Sequence, residues 1–284
     1  MNACEYDPSI QNWNCNRQKP PIKLHHMQCI VVGDDIWIPT AWSGSYPYET
    51  NVASIYIYNI VTNTWRTKPG LDITRQRGGA AAQHFNGFIY VSHGAPDGNG
   101  ADSVSLFDQY DIANDQWTAL PNAQFPRDHT GAAIVGGSSF CVAGGRDGGA
   151  TGDFFNAVVL PTECYDLWAG VNGTWTTEAN IPQGRGGAAY GTTCDGKLIV
   201  AGGEGFGKVW KNVEVFDGET WTAFPDLKQG RHGTGLAVSC DCDGRQQVHI
   251  GAGRRCQGAC SSGNSDLDST ETLFSSGVNV KCIA

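Results

Sequence analysis

Short apolar segments separated by turn-forming residues run along the whole chain, and none has the spacing of an amphipathic helix. One type of segment is rich in Gly and Ala, as at residues 186–189, and the next is an apolar run that ends in small residues, as at residues 198–203. An aromatic residue followed by Asp, as in Tyr110 and Asp111, then precedes a short segment that carries a tryptophan. This pattern predicts four short β-strands per unit in an all-β chain.

The tryptophan segments recur at a period that is typical of propeller blades. A basic residue follows each tryptophan by ten positions, and a strand rich in small residues follows four of the five bases. Repeats of roughly 50 residues indicate that each unit forms one blade. The tryptophans are Trp13, Trp65, Trp117, Trp175 and Trp221, and the bases are Lys23, Arg75, Arg127, Arg185 and Arg231.

The unit Arg-x-x-x-Gly-Ala-Ala, apolar strand, Gly-Gly, Tyr-Asp and Trp resembles the kelch repeat, which in that family forms one four-stranded blade of a β-propeller. The resemblance implies a single kelch-type propeller domain over residues 1–284. Five blades are expected, and six are the alternative because a strand pair also precedes the first unit. We expect N- and C-terminal strands to pair and so close the ring. The expected units are residues 23–65, 75–117, 127–175, 185–221 and 231–282, after a closing segment at residues 1–22.

Composition and charge restrict the partners. The chain has 38 Gly among 284 residues and a formal net charge of −9 at pH 7. An acidic balance disfavours nucleic acid as a general partner. No stretch approaches the roughly 18 consecutive apolar residues of a membrane helix, so no membrane span is expected. The first five residues lack both the basic and the apolar region of a signal peptide, so any signal peptide is expected to have been removed.

The eleven cysteines favour disulfides, and therefore a secreted protein, over a zinc site. Because the number is odd, at least one thiol has no partner within the chain, and Cys141 in its apolar run is the candidate. A disulfide of Cys4 or Cys15 with Cys282 would join the two ends. The triplet that begins at Asn172 is the one N-glycosylation sequon.

The five phased bases are the first candidate ligand site, because residues at one phase of a propeller form a ring on one face. Arginine binds carboxylates and sulfates in a bidentate way. Arg127, Arg185 and Arg231 also resemble the arginines with which a kelch adaptor protein binds acidic peptides. The alternative is that each base is a structural partner of a carboxylate, such as the Asp of the Tyr-Asp pairs.

Loops on the same face supply further candidates. Aromatic residues beside polar groups suit a sugar or a protein partner, and the alternative is that they pack on their own loops. Oxygen-rich runs suggest calcium as an alternative to having no cofactor. The ligand candidates are Trp42, Tyr46, Tyr48, Phe154, Glu204, Phe206 and Trp210, and the calcium candidates are Asn264, Asp266, Asp268 and Glu271.

Catalytic signatures are weak. The histidines lack the arrangement of a copper-radical oxidase, whereas Glu204 near arginines could transfer protons in a sialic-acid mutarotase. The sequence therefore predicts a secreted, non-catalytic propeller that binds a protein partner or an anionic glycan or peptide. The alternatives are a self-assembling structural subunit of an extracellular matrix or filament and a carbohydrate-active enzyme.

Overall fold

The computed structural model describes residues 3–7, 10, 12–46, 48–98, 101–148, 155–241, 245–258 and 269–275. Within them the chain is almost entirely β-structure, with one 3₁₀ helix at Leu167–Asn172. Five antiparallel sheets follow one another along the chain, and the first strand of each sheet contacts that of the next around a central axis. These findings confirm the predicted all-β propeller of five blades.

A hairpin precedes the first blade, and the blades then follow in chain order. The hairpin is β1 (Ala3–Asp7) and β2 (Asn12–Arg17). Blade 1 contains β3 (Ile30–Val32), β4 (Asp35–Ile38), β5 (Trp42–Ser43), β6 (Thr50–Asn51), β7 (Ser54–Asn59) and β8 (Thr64–Pro69). Blade 2 contains β9 (Ala81–Phe85), β10 (Phe88–Ser92), β11 (Phe107–Asp111) and β12 (Gln116–Leu120). Blade 3 contains β13 (Gly131–Val135), β14 (Ser139–Ala143), β15 (Thr162–Asp166) and β16 (Trp175–Glu178).

The last two blades include one more short hairpin. Blade 4 contains β17 (Ala189–Thr192), β18 (Leu198–Ala201), β19 (Glu204–Gly205), β20 (Lys208–Val209), β21 (Val213–Phe216) and β22 (Trp221–Phe224). Blade 5 contains β23 (Gly235–Cys240), β24 (Gln246–Gly251) and β25 (Thr270–Ser275). The pairs β5–β6 and β19–β20 are small hairpins in the loops that follow the second strands of blades 1 and 4.

The apolar pattern follows from the stacking of the blades. Second strands such as β18 are buried at every position, because neighbouring blades cover both faces of the sheet. Fourth strands such as β12 are mostly exposed at the outer rim. The first strands carry small residues because adjacent blades come closest there: a Cβ on Gly131 would lie 2.4 Å from the Tyr190 ring.

The aromatic–Asp pairs build the turns between third and fourth strands. Asp111 accepts the backbone N–H groups of Ala113 and Asn114, and the Tyr110 hydroxyl donates to Asp115 at 2.6 Å. Asp115 has a φ of 55°, a backbone conformation that Asp, Asn and Gly tolerate. The Asp of the aromatic–Asp pair is therefore a turn residue, and it is not the partner of the predicted arginines.

Four of the five repeated tryptophans donate a hydrogen bond to the segment that precedes their own blade. Trp175 Nε1 donates to Pro121 O at 2.8 Å, and Trp65, Trp117 and Trp221 make equivalent bonds. Trp175 is buried, whereas Trp13 is 39% exposed, so the tryptophans link blades and only some of them belong to the core.

The N-terminal hairpin occupies the gap between blade 5 and blade 1. The ring of Trp13 lies 3.5 Å from the position of a Cβ on Gly251 in blade 5, and Gln18 O accepts from Trp65 in blade 1. In the described residues β1 pairs with β2 and with no C-terminal strand. Side-chain packing therefore links the described parts of the two ends, and the C-terminal residues 276–284, where the expected partner strand would lie, are outside the described residues.

Three disulfides lie between described cysteines, and they correct the sequence prediction. They join Cys4 to Cys15, Cys141 to Cys164 and Cys194 to Cys240, and Cys256 is also disulfide-bonded. Cys141 is thus paired, and the cysteine that is free among the described residues is the exposed Cys29. Cys4 and Cys15 pair within the hairpin rather than with Cys282, because their two strands are adjacent. No helix among the described residues is long and apolar enough to cross a membrane.

Candidate functional site

Four buried arginines each form an ion pair with a carboxylate on the third strand of their own blade. The arginine side chains are at most 1% exposed. Each pair links the start of a blade to its third strand. Because both charges are removed from water, the pair offers no surface to a ligand. The pairs are Arg77 with Asp108 at 2.8 Å, Arg127 with Glu163 at 2.6 Å, Arg185 with Glu214 at 2.7 Å and Arg231 with Glu271 at 2.6 Å.

Two of the five predicted bases lie outside this set. In blade 2 the buried position belongs to Arg77, and the predicted Arg75 is 26% exposed and contacts the same carboxylate, Asp108. In blade 1 the position belongs to the buried Leu24, and the predicted Lys23 is exposed. Counting ten residues from the tryptophan fails in these two blades because their connecting segments differ in length.

Glu163 shows how tightly these pairs are integrated. Its carboxylate accepts from Arg127 and from the backbone N–H of Gln124, and it lies 3.5 Å from His93 Nε2 of blade 2. Burial by itself would raise the pKa of Glu163, but His93 and Arg127 hold it below the usual range. Burial also lowers the pKa of His93 to about 4. The pair therefore stabilises the contact between two blades.

In each blade, the residue two positions after the buried arginine, or after Leu24 in blade 1, lines the mouth of the channel. These residues all have a left-handed backbone, with φ between 50° and 63°. Backbone bonds join them from blade to blade, as in Gly79 N to His26 O at 2.7 Å and Gly233 N to Gly187 O at 2.8 Å. The residues are His26, Gly79, His129, Gly187 and Gly233.

Charged and imidazole side chains converge at this mouth and form the mouth cluster. Arg146 of blade 3 packs over Gly186 of blade 4 and lies 3.4 Å from Glu204 and 3.1 Å from His129 Nε2. The carboxylate of Glu204 lies 3.6 Å from His232 Nδ1 in blade 5. We define the mouth cluster as His26, Asp128, His129, Arg146, Glu204 and His232.

Two histidines of the mouth cluster, His26 and His129, are held neutral. Burial, together with His129 and His25, lowers the pKa of His26 to about 2. Burial and Arg146 also lower the pKa of His129, which forms a short contact with Asp128. Burial would raise the pKa of Asp128, but His129 and Arg146 lower it below the usual range. The cluster therefore combines the Arg146 guanidinium with two carboxylates and with the neutral imidazoles of His26 and His129.

Gln28 bonds to the first strands of the next two blades. Its Oε1 accepts from the backbone N–H groups of Ala82 and Ala132 at 2.9 Å, and its Nε2 donates to Ala132 O at 2.8 Å. These bonds connect blade 1 to blades 2 and 3 across the axis.

The predicted aromatic residues divide into two groups. Tyr46 and Tyr48, between β5 and β6, are 62% and 84% exposed, and Phe206, between β19 and β20, is 69% exposed. Trp42 is fully buried: it stacks on His26 and donates to Ala95 O, so it is a scaffold residue rather than a ligand residue. Trp210 is half-buried and lies beneath the ammonium group of Lys208. Phe154 lies outside the described residues.

Of the four calcium candidates, Glu271 is the one among the described residues. Glu271 pairs with Arg231 and accepts backbone N–H groups of Lys228 and Gln229, so its oxygens are engaged. Asn264, Asp266 and Asp268 lie outside the described residues. Among the residues that are described, no group of three or more His, Cys, Asp or Glu could hold a metal ion.

Glu204 is the one residue of the mouth cluster among the predicted site residues. The signal for the others was present in the motif itself: Asp128 and His129 stand where blades 2 and 4 have the two glycines that follow the arginine. Aligning the blades on the two residues that follow the arginine, rather than on the tryptophan, identifies Asp128 and His129. Arg146 and Glu204 also occupy matching positions, since their backbones bridge to Asp128 and Gly186.

The five sheets, stacked in sequence around one axis, define the chain as a β-propeller. Its repeat unit is similar to the kelch repeat. A curated protein described as Kelch-like protein terF, from Aspergillus terreus, is 28% identical over 210 residues, which cover 71% of this chain and 43% of that protein. The chain thus spans less than half the length of that relative.

Among solved structures, one titled "Structure of YjhT" matches with a TM-score of 0.71 at 14% identity, over 93% of this chain and 88% of that one. At this identity the match supports the fold alone. No protein-family model matches the chain.

Proposed function

We propose that this propeller is an extracellular, non-catalytic binding module whose ligand face is the mouth side of the ring. The observation that carries the proposal is the pair of loop hairpins on this face, which present Tyr46, Tyr48 and Phe206 to solvent. Exposed aromatic residues on rigid hairpins are favourable contact points for a sugar or a protein partner. The disulfides support an oxidising compartment.

The ligand that we propose carries an acidic group. Although the chain has a net charge of −9, several basic side chains lie in the loops of the mouth face. Arginine and lysine bind carboxylate and sulfate through charge-assisted hydrogen bonds. With the buried arginines committed to ion pairs, the acidic group would be held by the exposed Lys208 and Arg255.

A binding screen against acidic and neutral glycans and acidic peptides tests this function. We expect a carboxylate- or sulfate-bearing ligand whose affinity falls at high salt. The double variant Tyr48→Ala/Phe206→Ala should weaken its binding at least about tenfold, which corresponds to roughly 1.4 kcal/mol. Trp168→Ala, which changes an exposed aromatic residue in a turn between third and fourth strands, should bind normally. No ligand in the screen, together with an oligomer in solution, would instead favour the structural-subunit function.

A second candidate, a carbohydrate-active enzyme such as a sialic-acid mutarotase, is favoured by Glu204. Its carboxylate lies beside Arg146 and His232 at the mouth, where it could exchange a proton with a bound sugar. Following the anomers of free sugars by NMR, with and without the protein, tests this activity. Faster equilibration that is lost in Glu204→Gln would support the enzyme, and unchanged equilibration would exclude it for the sugars tried.

A further inference from the structure

A cleft at the turns of blades 3 and 4 is separate from the mouth. It encloses about 470 Å³. The disulfide between Cys141 and Cys164 lies in its wall. The polar residues that line it are Ser139, Asp166, Asn172, Thr174, Thr176, Glu178 and Asp217.

The N-glycosylation sequon lies on the rim of this cleft. Asn172 ends the 3₁₀ helix Leu167–Asn172, and Gly173 continues in an extended conformation, with φ −73° and ψ 169°. Asn172 and Thr174 are both exposed, and neither side chain makes a hydrogen bond with another described residue. The two side chains that define a sequon are therefore available on the folded surface.

The local packing keeps this turn in one conformation. The Tyr165 hydroxyl donates to Gly170 O at 2.5 Å, and a Cβ on Gly173 would lie 2.4 Å from the Tyr165 ring. Glycine is therefore required at the middle position of the sequon. The side chain of Asn172 thus leaves a fixed backbone at the edge of the cleft.

The chemistry of the cleft suits a neutral saccharide. The lining contains carboxylates and hydroxyls and no lysine or arginine, which disfavours an anionic ligand. The hydroxyl and acetamido N–H groups of an N-acetylhexosamine are donors, and the carboxylate of Glu178 makes no hydrogen bond with a described residue. Beside the cleft, Trp168 and Val171 are 67% and 55% exposed, so a glycan at this position would also cover apolar surface.

We propose that Asn172 carries an N-linked glycan whose first saccharide occupies this cleft. In the transfer, Asn172 Nδ2 forms a bond to the anomeric carbon of an oligosaccharide carried on a lipid diphosphate. The lipid diphosphate leaves, and the amide nitrogen gives up one proton to the transferase. The modification shares with the proposed function the assumption that the chain is secreted.

The test is expression of the chain behind an added secretion signal in a glycosylating eukaryotic host. Because the signal is supplied, the result does not depend on the proposed ligand or on the natural location. We expect a mass decrease on treatment with an amidase that removes N-glycans. It should be absent in Asn172→Gln and retained in Thr174→Ser, which preserves the sequon. An unmodified Asn172 in the parent protein would overturn the proposal.

Thermal unfolding tests whether the first saccharide occupies the cleft. An endoglycosidase that leaves a single N-acetylglucosamine on Asn172 should leave the Tm unchanged, because the cleft stays filled. Asn172→Gln, which lacks the whole glycan without adding a charge, should unfold about 2–4 °C lower, as expected for about 1 kcal/mol in a protein of this size. Asn212→Gln is the control outside the sequon. Equal Tm values for the trimmed protein and Asn172→Gln would overturn the proposed position of the saccharide.

Discussion

The Arg127 guanidinium lies 2.6 Å from the Glu163 carboxylate, and both side chains are fully buried. The same relationship recurs in blades 2, 4 and 5. Blade 1 is the exception, and both partners change there together. The arginine position holds Leu24, the carboxylate position holds Tyr56, and the two belong to one apolar cluster with Ile38. The pair is thus replaced as a unit, as expected for a structural contact rather than a ligand site.

Removing one partner of such a pair should be costly. We expect Arg127→Met to lower the free energy of unfolding by about 3–5 kcal/mol, because Glu163 loses its buried cation. Arg75→Met is the control: Arg75 is partly exposed and Asp108 keeps Arg77, so the loss should stay within about 1 kcal/mol. Urea denaturation measures both variants. Parent-like stability of Arg127→Met with loss of acidic-ligand binding would restore the predicted ligand ring.

Acid should destabilise the protein below neutral pH, and His93 should contribute. Burial holds the pKa of His93 at about 4, below the usual 6.5 of an unfolded histidine, so the unfolded chain binds a proton that the folded state excludes. The stabilisation is complete above pH 6.5 and is lost as the pH falls towards 4, by about 3 kcal/mol in total.

The measurement is the free energy of unfolding at several pH values between 7 and 4. His93 has a φ of 60°, and the matching residues of blades 3 and 4 are Gly144 and Gly202, so His93→Gly suits the backbone. The variant is expected to start from a lower stability and to lose less of it on acidification. An unchanged slope between pH 6.5 and 4 would show that His93 is not the group responsible.

Close approach between blades 1 and 2 depends on a glycine. A Cβ on Gly78 would lie 2.5 Å from the ring of the buried Trp42. We expect Gly78→Ala to destabilise the protein by about 1–3 kcal/mol, since the ring must move. Gly235→Ala is the matched control, because nothing lies within 4 Å of its Cβ position. Calorimetric Tm values compare the two, and equal values would mean that Trp42 shifts at little cost.

The disulfide between Cys194 and Cys240 joins blades 4 and 5. It spans 46 residues of sequence, against 11 for Cys4 and Cys15. Because longer loops lose more entropy on crosslinking, Cys194→Ser/Cys240→Ser should destabilise the protein by about 2–4 kcal/mol. Cys4→Ser/Cys15→Ser should lower the free energy of unfolding by less. Urea denaturation under non-reducing conditions measures the difference, and the reverse order would contradict this argument.

Much of the fold was predictable because it depends on local patterns that repeat. Glycines, Asn and Asp marked the turns, and the phased tryptophans marked the outer strands. The pairing of Cys141 with Cys164 was not predictable, because the two lie on adjacent strands whose register is a tertiary property. Trp42 was misjudged for the same reason: it belongs to a loop, but the glycine of the next blade makes room for its ring.

By itself, the sequence predicted a β-propeller of kelch-like repeats, with five blades favoured over six, because a repeated unit can bury its apolar strands only against copies of itself. The tertiary structure decided what the charged residues do. It placed the phased arginines beside carboxylates about 30 to 40 positions away and brought Asp128, Arg146, Glu204 and His232 of three blades to one mouth. Distances between blades depend on how the sheets stack, and a repeat pattern does not encode that stacking.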